Sequence, residues 1–173
     1  MGIIFLRYSY LGGQNNAISL TCSMYSREEA AQIKRDFWTR FGQYMRPVPG
    51  ASGDTINWLN YKTGIRHLFF RLDADRQQAS VGIEIRHPDP EWQALYFDQF
   101  KALQKILESH TEESWDWQLH QYDEDGKLVS TIRTTLPGVN IFKTDDWPRI
   151  ISFFKPRIIA LDAFWDLVRD GFE

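Results

Sequence analysis

Between Phe69 and His87 the chain reads FFRLDADRQQASVGIEIRH, in which Asp73 and Asp75 precede Glu84, Ile85 and Arg86. An acid, then an acid–x–base triplet farther along, is the spacing of metal-dependent nucleases. There two carboxylates share Mg²⁺ or Mn²⁺, and a nearby lysine orients or activates the attacking water. Here the triplet ends in Arg86, whose pKa above about 12 keeps it protonated and unable to act as a base near neutrality. The competing account is a β-hairpin with a charged outer face.

Alternation puts Leu68, Phe70 and Leu72 on one face of that hairpin with Val81, Ile83 and Ile85, and Arg71, Asp73, Glu84 and Arg86 on the other. Two registers preserve this match. With Leu72 opposite Val81, Glu84 faces Phe69 and lies about 13 Å along the ladder from Asp73, at about 3.3 Å per residue. One ion with ligands at about 2.1 Å cannot hold both. With Leu72 opposite Ile83, Glu84 sits diagonally from Asp73 at about 7–8 Å, where the side chains could converge. Even then a Glu84–Arg71 ion pair is the simpler arrangement, so a charged hairpin face is the expectation and catalysis by Asp73, Asp75, Glu84 and Arg86 the alternative.

Other chemistry is weaker. His67, His87, His110 and His120 lack metal-ligand spacing, and the stretch PGASGD lacks the Lys-Ser/Thr ending of a phosphate loop. The seven tryptophans fall mainly on helical stripes or in strands, where packing accounts for them. Trp115 and Trp117 would form a stacking platform only if exposed. Arg149, Lys155 and Arg157 make a small basic cluster that could meet phosphate or an acidic partner, and Arg71 joins them as a candidate binding residue.

The frame for these residues comes from composition and pattern. A chain of 173 residues with 43% hydrophobic and 15% aromatic content is one globular domain's worth of sequence. Its formal charge of −3 creates no overall positive field, so any binding of nucleic acid must be local. The single cysteine, Cys22, excludes an internal disulfide and a Cys-based zinc cluster and suits the cytoplasm. No apolar run approaches the roughly 20 residues of a membrane helix, so no membrane partner is expected, and MGIIFLRYSY does not read as a secretory signal.

Residues 1–23 read as a loose tail or an over-extended gene start, with a strand at Ile3 to Tyr8 as the alternative, and 24–173 as a single domain. Ser26 and Glu29 have capping-box spacing, opening a helix whose apolar stripe is Ala30, Ile33, Phe37, Phe41 and Tyr44. RPVPGASGD ends it. TINWLNY and IRHLFFRLD, joined through Lys62-Thr63-Gly64, then ASVGIEIRH, predict a three-stranded meander. Asp89 caps a second helix with Pro90 in its first turn and a stripe of Trp92, Leu95, Tyr96, Phe100, Leu103 and Leu107. SWDWQLHQY and LVSTIRTTL flank the turn Asp123-Glu124-Asp125-Gly126 as a hairpin. A last helix, capped by Asp145 or Asp146, buries Ile150, Phe153, Phe154, Ile158, Leu161, Phe164 and Trp165, and Pro156 must kink or split it.

The stretches MYSREEAAQIKRDFWTRFGQYM, INWLNYKTGIRHLFFRLDAD, LPGVNIFKTDDWP and ISFFKPRIIALDAFW together resemble a bacterial family, domain of unknown function 4268, over about Met24 to Glu173. The resemblance implies an α+β domain that also occurs C-terminal to PD-(D/E)XK-type nuclease domains, and hence a link to nucleic-acid processing. It assigns no catalytic residue. The expected fold is α+β in the order α-βββ-α-ββ-α, an antiparallel sheet of about five strands with helices on one face. The expected function is a non-catalytic binding or accessory module without a cofactor, with a protein or nucleic-acid partner or a second copy of the chain. The alternative is a Mg²⁺- or Mn²⁺-dependent nuclease or a degenerate relative.

Overall fold

The structure is a computed structural model, and it describes residues 25–172. The expectations for residues 1–23 lie outside the described residues. Among these are four α-helices and one antiparallel sheet of four strands: α1 (Arg27–Met45), β1 (Leu68–Ala74), β2 (Gln78–Ile85), α2 (Pro90–Ala102), α3 (Gln104–Thr111), β3 (Asp116–Tyr122), β4 (Leu128–Pro137) and α4 (Trp147–Val168). The strands lie in the order β1-β2-β4-β3, so β1 and β3 are the edges.

The capping box forms as its spacing predicts. Ser26 Oγ accepts from Glu29 N at 3.1 Å, and Glu29 Oε2 accepts from Ser26 N at 2.7 Å. Phe37, Phe41 and Met45 then line the buried side of α1. Tyr44, expected in that stripe, is instead 49% exposed. Its hydroxyl accepts from Lys155 Nζ, whose ammonium also lies over the ring, so the polar tip draws the side chain to the surface.

Among the described residues there is no fifth strand, and the meander expected from TINWLNY onward is a two-stranded hairpin. In place of that strand, Trp58–Asn60 forms a short 3₁₀ turn. Asn57 caps it by accepting from Asn60 N, and Trp58 Nε1 donates to Val48 O. Asparagine side chains compete for backbone donors, and here that competition outweighs the apolar alternation. Residues 46–61 become a strap across α4.

The second predicted helix differs too. It breaks at Leu103 into α2 and α3, and Trp92 and Leu95 are about half exposed. Gln93 takes the buried place. Its amide donates to His87 O and Leu128 O and accepts from Ser130 Oγ, so burial leaves it fully paired. By contrast, all seven residues expected on the apolar face of α4 are buried, and Pro156 does not split that helix.

One side of the sheet carries Leu68, Phe70, Val81, Ile83, Ile85 and Ile132 into a single core with the helices. Gly82 sits mid-sheet opposite Arg133, where a Cβ would come 2.6 Å from Arg133 Cβ and 2.9 Å from Ile132 O. Because strand backbone cannot yield there, Gly82→Ala is expected to destabilise the fold by about 1–3 kcal/mol in chemical denaturation. An unchanged midpoint would contradict this close approach.

Candidate functional site

The hairpin register pairs Leu72 with Val81 and Glu84 with Phe69. Asp73 pairs with Ser80, so Asp73 and Glu84 stand four positions apart along the ladder, about 13 Å. Asp75 serves its own turn: its Oδ1 accepts from Gln77 N at 2.6 Å and Gln78 N at 2.9 Å. Glu84 lies between two guanidiniums, 2.7 Å from Arg86 Nε and 3.6 Å from Arg71 Nε. The Glu84–Arg71 pair therefore forms in the register where it was not expected, by reaching diagonally. Among the described residues, no three His, Cys, Asp or Glu side chains are grouped to hold a metal ion.

Arg86 extends this chain of charges to Asp123 Oδ2 at 2.8 Å. Burial opposes the guanidinium's charge, but its bonds to Glu84 and Asp123 outweigh burial and raise its pKa. Asp123 is held below the usual carboxylate range, first by the Lys127 N–H and then by Arg86. A carboxyl whose pKa is lower folded than unfolded contributes stability in full above about pH 3.9, and that contribution fades as pH falls through the lowered native value. The gap in melting temperature between wild type and Asp123→Asn is therefore expected to hold from pH 7 to about 5 and to close below about 3.9. A gap that widens in acid would contradict this.

The basic residues of α4 do not form one surface. Arg157 is committed to Glu113, with bonds of 2.8 and 2.7 Å to the two carboxylate oxygens, and its guanidinium covers the Phe153 ring. Arg149 donates to Gly138 O at 3.3 Å. Arg149 and Arg157 line an open hollow of about 430 Å³ with Leu136 and Phe153, while Lys155 turns away to Tyr44. Trp115 is buried, and Trp117 packs edge-on against Phe97 beneath the Lys101 ammonium, so the two make no stacking platform.

A different concavity forms between the end of the strap and β1. It encloses about 310 Å³, and its wall includes Tyr61, Lys62, Arg66, Phe69, Phe70 and Arg71. Three cations thus line it, and the lining contains no acidic residue. Local structure explains their convergence. Gly64 takes a φ of 84° and turns the chain between Lys62 and Arg66. Thr63 Oγ1 then donates to Leu68 O at 2.8 Å, closing the loop onto the strand. His67 follows with a φ of 65°, which aims its carbonyl at Arg86 N. The His67 imidazole is pushed down in pKa by burial, then by Arg66 and His87, adding no firm positive charge of its own. On β1, the Arg71 guanidinium lies 4.6 Å from the Phe69 ring centre and remains half exposed.

Tyr61 forms the inner wall. It stacks on Phe70 at 4.9 Å and donates to Asp162 Oδ1 at 2.6 Å. Burial, then that bond, pushes the phenol well above its ordinary pKa, so the group stays protonated and positions the wall rather than reacting. Asp162 is itself buried on α4 and also accepts from Ala51 N at 2.6 Å.

Of the candidate catalytic and binding residues named from sequence, only Arg71 belongs to this concavity. Lys62 and Arg66 escaped notice because YKTGIR reads as an ordinary turn between strands. Asp162 did leave a signal: an acid between Leu161 and Trp165 on an otherwise apolar face.

Fold and site together define an α+β domain with one sheet face turned from the helices and a basic concavity at a sheet edge. The sequence model of the family described as Domain of unknown function (DUF4268) matches residues 33–169, and the chain belongs to that family. Neither the curated proteins nor the solved structures yielded a match. Among the described residues no helix is long and apolar enough to cross a membrane.

Proposed function

We propose that this chain is a non-catalytic binding module that receives an anionic partner in the concavity beside β1. The observation that carries this is the wall: Lys62, Arg66 and Arg71 line it with no acidic residue in the lining, and Glu84, which meets Arg71 from outside it at 3.6 Å, is held more closely by Arg86 at 2.7 Å. In a molecule of formal charge −3, such a patch has to be built locally. A concave site with low dielectric walls focuses its field on an approaching anion. Tyr61 and Phe69 add flat apolar surface beside the charges. Metal-dependent cleavage around Asp73, Asp75 and Glu84 has thinner support, since the ladder spaces Asp73 and Glu84 widely and Asp75 is occupied by its turn.

The test is fluorescence anisotropy at low salt with labelled polyglutamate and labelled dT12. The double substitution Lys62→Glu/Arg66→Glu is expected to weaken binding at least about tenfold and to flatten its salt dependence. Equal affinity in both proteins would remove the concavity from the function.

A further inference from the structure

The cations of the concavity are not equally free. Arg71 shares Glu84 with Arg86, at 3.6 Å against 2.7 Å, so part of its charge is already met. Lys62 and Arg66 make no ion pair among the described residues. Both are exposed at the rim with Gly64, while Leu68 and Phe70 are buried beneath them. Gly64 has no side chain, so it lines the wall with backbone, and a Cβ there would meet nothing within 4 Å. Ile65 N is taken by Thr63 Oγ1, but the N–H groups of Lys62, Gly64 and Arg66 donate to no acceptor among the described residues. Unpaired amides around a left-handed residue make the kind of turn that holds an anion.

We propose that the concavity takes a phosphomonoester, its terminal phosphate held by Lys62, Arg66 and the backbone of the turn between them. It rests on the concavity being an anion site and adds the class of ligand. Charge selects the group. A phosphomonoester carries about −1.5 to −2 at neutral pH and offers three acceptor oxygens, which matches two unpaired cations and the amides beside them. A carboxylate brings one charge and two oxygens and would leave one cation unmatched. Shape then selects the monoester over the diester of a nucleic-acid backbone. A terminal phosphate has one ester bond and enters end-on, whereas a diester, with a single charge and a bond on each side, must lie across the mouth. The concavity encloses about 310 Å³, at the lower end of the about 300–1,000 Å³ of small-molecule sites, so it admits one such group with a small body behind it. Tyr61 and Phe69 give that body an apolar wall. A free mononucleotide and the 5′-phosphate of a strand present the same chemistry.

The experiment uses the full chain at low salt with 3′-labelled dT12 in two forms, 5′-phosphorylated and 5′-hydroxyl, and labelled polyglutamate beside them. The proposal expects the phosphorylated form to bind at least about tenfold more tightly than the hydroxyl form, and Lys62→Gln or Arg66→Gln to abolish that difference. Both substitutions change exposed side chains, and an unchanged thermal melt shows that the fold is kept. AMP is expected to displace the phosphorylated strand and adenosine 3′,5′-cyclic monophosphate is not, since the cyclic ester keeps the nucleoside and loses the second charge. Displacement by AMP at the strand's own affinity identifies a free mononucleotide as the source of the group, and displacement only at far higher concentration identifies the strand end. Equal affinity of the two dT12 forms, equal displacement by AMP and the cyclic ester, or polyglutamate binding as tightly as phosphorylated dT12 would overturn the phosphomonoester while leaving the anion site intact. Binding of none of the probes would overturn both.

Discussion

Replacing Phe154 with alanine is expected to lower stability by about 3–5 kcal/mol, the range for removing a fully buried aromatic ring. Phe154 has no exposed surface and lies where α1 crosses α4. Its ring stacks on Trp38 at 5.7 Å and meets Phe37 and Phe41 edge-on at 6.3 and 5.6 Å. These partners sit on one helix and cannot all close on the void, so much of the cavity cost remains. Such a loss is a large share of the about 5–15 kcal/mol that holds a domain together. Urea denaturation of Phe154→Ala would show it as a lower midpoint with an unchanged slope. Phe41→Ala in the same background should cost less than it does in wild type, because the two rings share one contact. A loss below about 1 kcal/mol for Phe154→Ala would mean that α1 is not anchored by this cluster.

Asp162→Ala is expected to cost about 2–4 kcal/mol, because it leaves two inward-facing donors without an acceptor. One is Ala51 N and the other the Tyr61 hydroxyl, each 2.6 Å from a carboxyl oxygen. Both belong to the strap, so Asp162 fastens residues 46–61 to α4. Gly50 lets the strap pass this close: a Cβ there would lie 3.3 Å from Asp162 Oδ2 and closer still to Ile56. Tyr61→Phe removes only one donor and should cost about 1–2 kcal/mol. Thermal melts would report Asp162→Ala as a fall of about 5–15 °C. Since Tyr61 walls the basic concavity, the same substitution should weaken anion binding without touching a cation. If Asp162→Ala costs less than about 0.5 kcal/mol, the strap is held by its other contacts, among them Ser52 Oγ donating to Asp166 Oδ1 at 2.9 Å and the indoles of Trp58 and Trp165. Those two indoles donate to Val48 O and Thr63 O.

The difference between what was legible and what was not follows from the range of each interaction. Capping boxes, proline at a first helical turn and an apolar stripe are settled within a few residues, and so α1, the Asp89–Pro90 start of α2 and the buried face of α4 could be read directly. The alternation of β1 and β2 was equally local, and it named the two permitted registers. It could not choose between them, because both keep the same residues on the same face.

What only the tertiary structure decided depends on partners far apart in the chain. Whether TINWLNY becomes a strand turns on Asn57 and on Val48, and the strap it forms is secured by Asp162, 101 residues beyond Tyr61. Gln93 displaces Trp92 and Leu95 from the core because Leu128 and Ser130 arrive from β4 to satisfy it. The basic concavity is of the same kind. Lys62 and Arg66 look like solvated turn residues until Gly64, Thr63 and His67 fold their loop back against β1 and set them beside Arg71. By itself the sequence determined the class of fold, the capped starts of α1 and α2 and most of the core, whereas the start of α3 at Gln104 was not legible and Asp146 precedes α4 without a side-chain cap bond. The site arises where a strap, a turn and a strand edge meet, and only their packing brings those cations together.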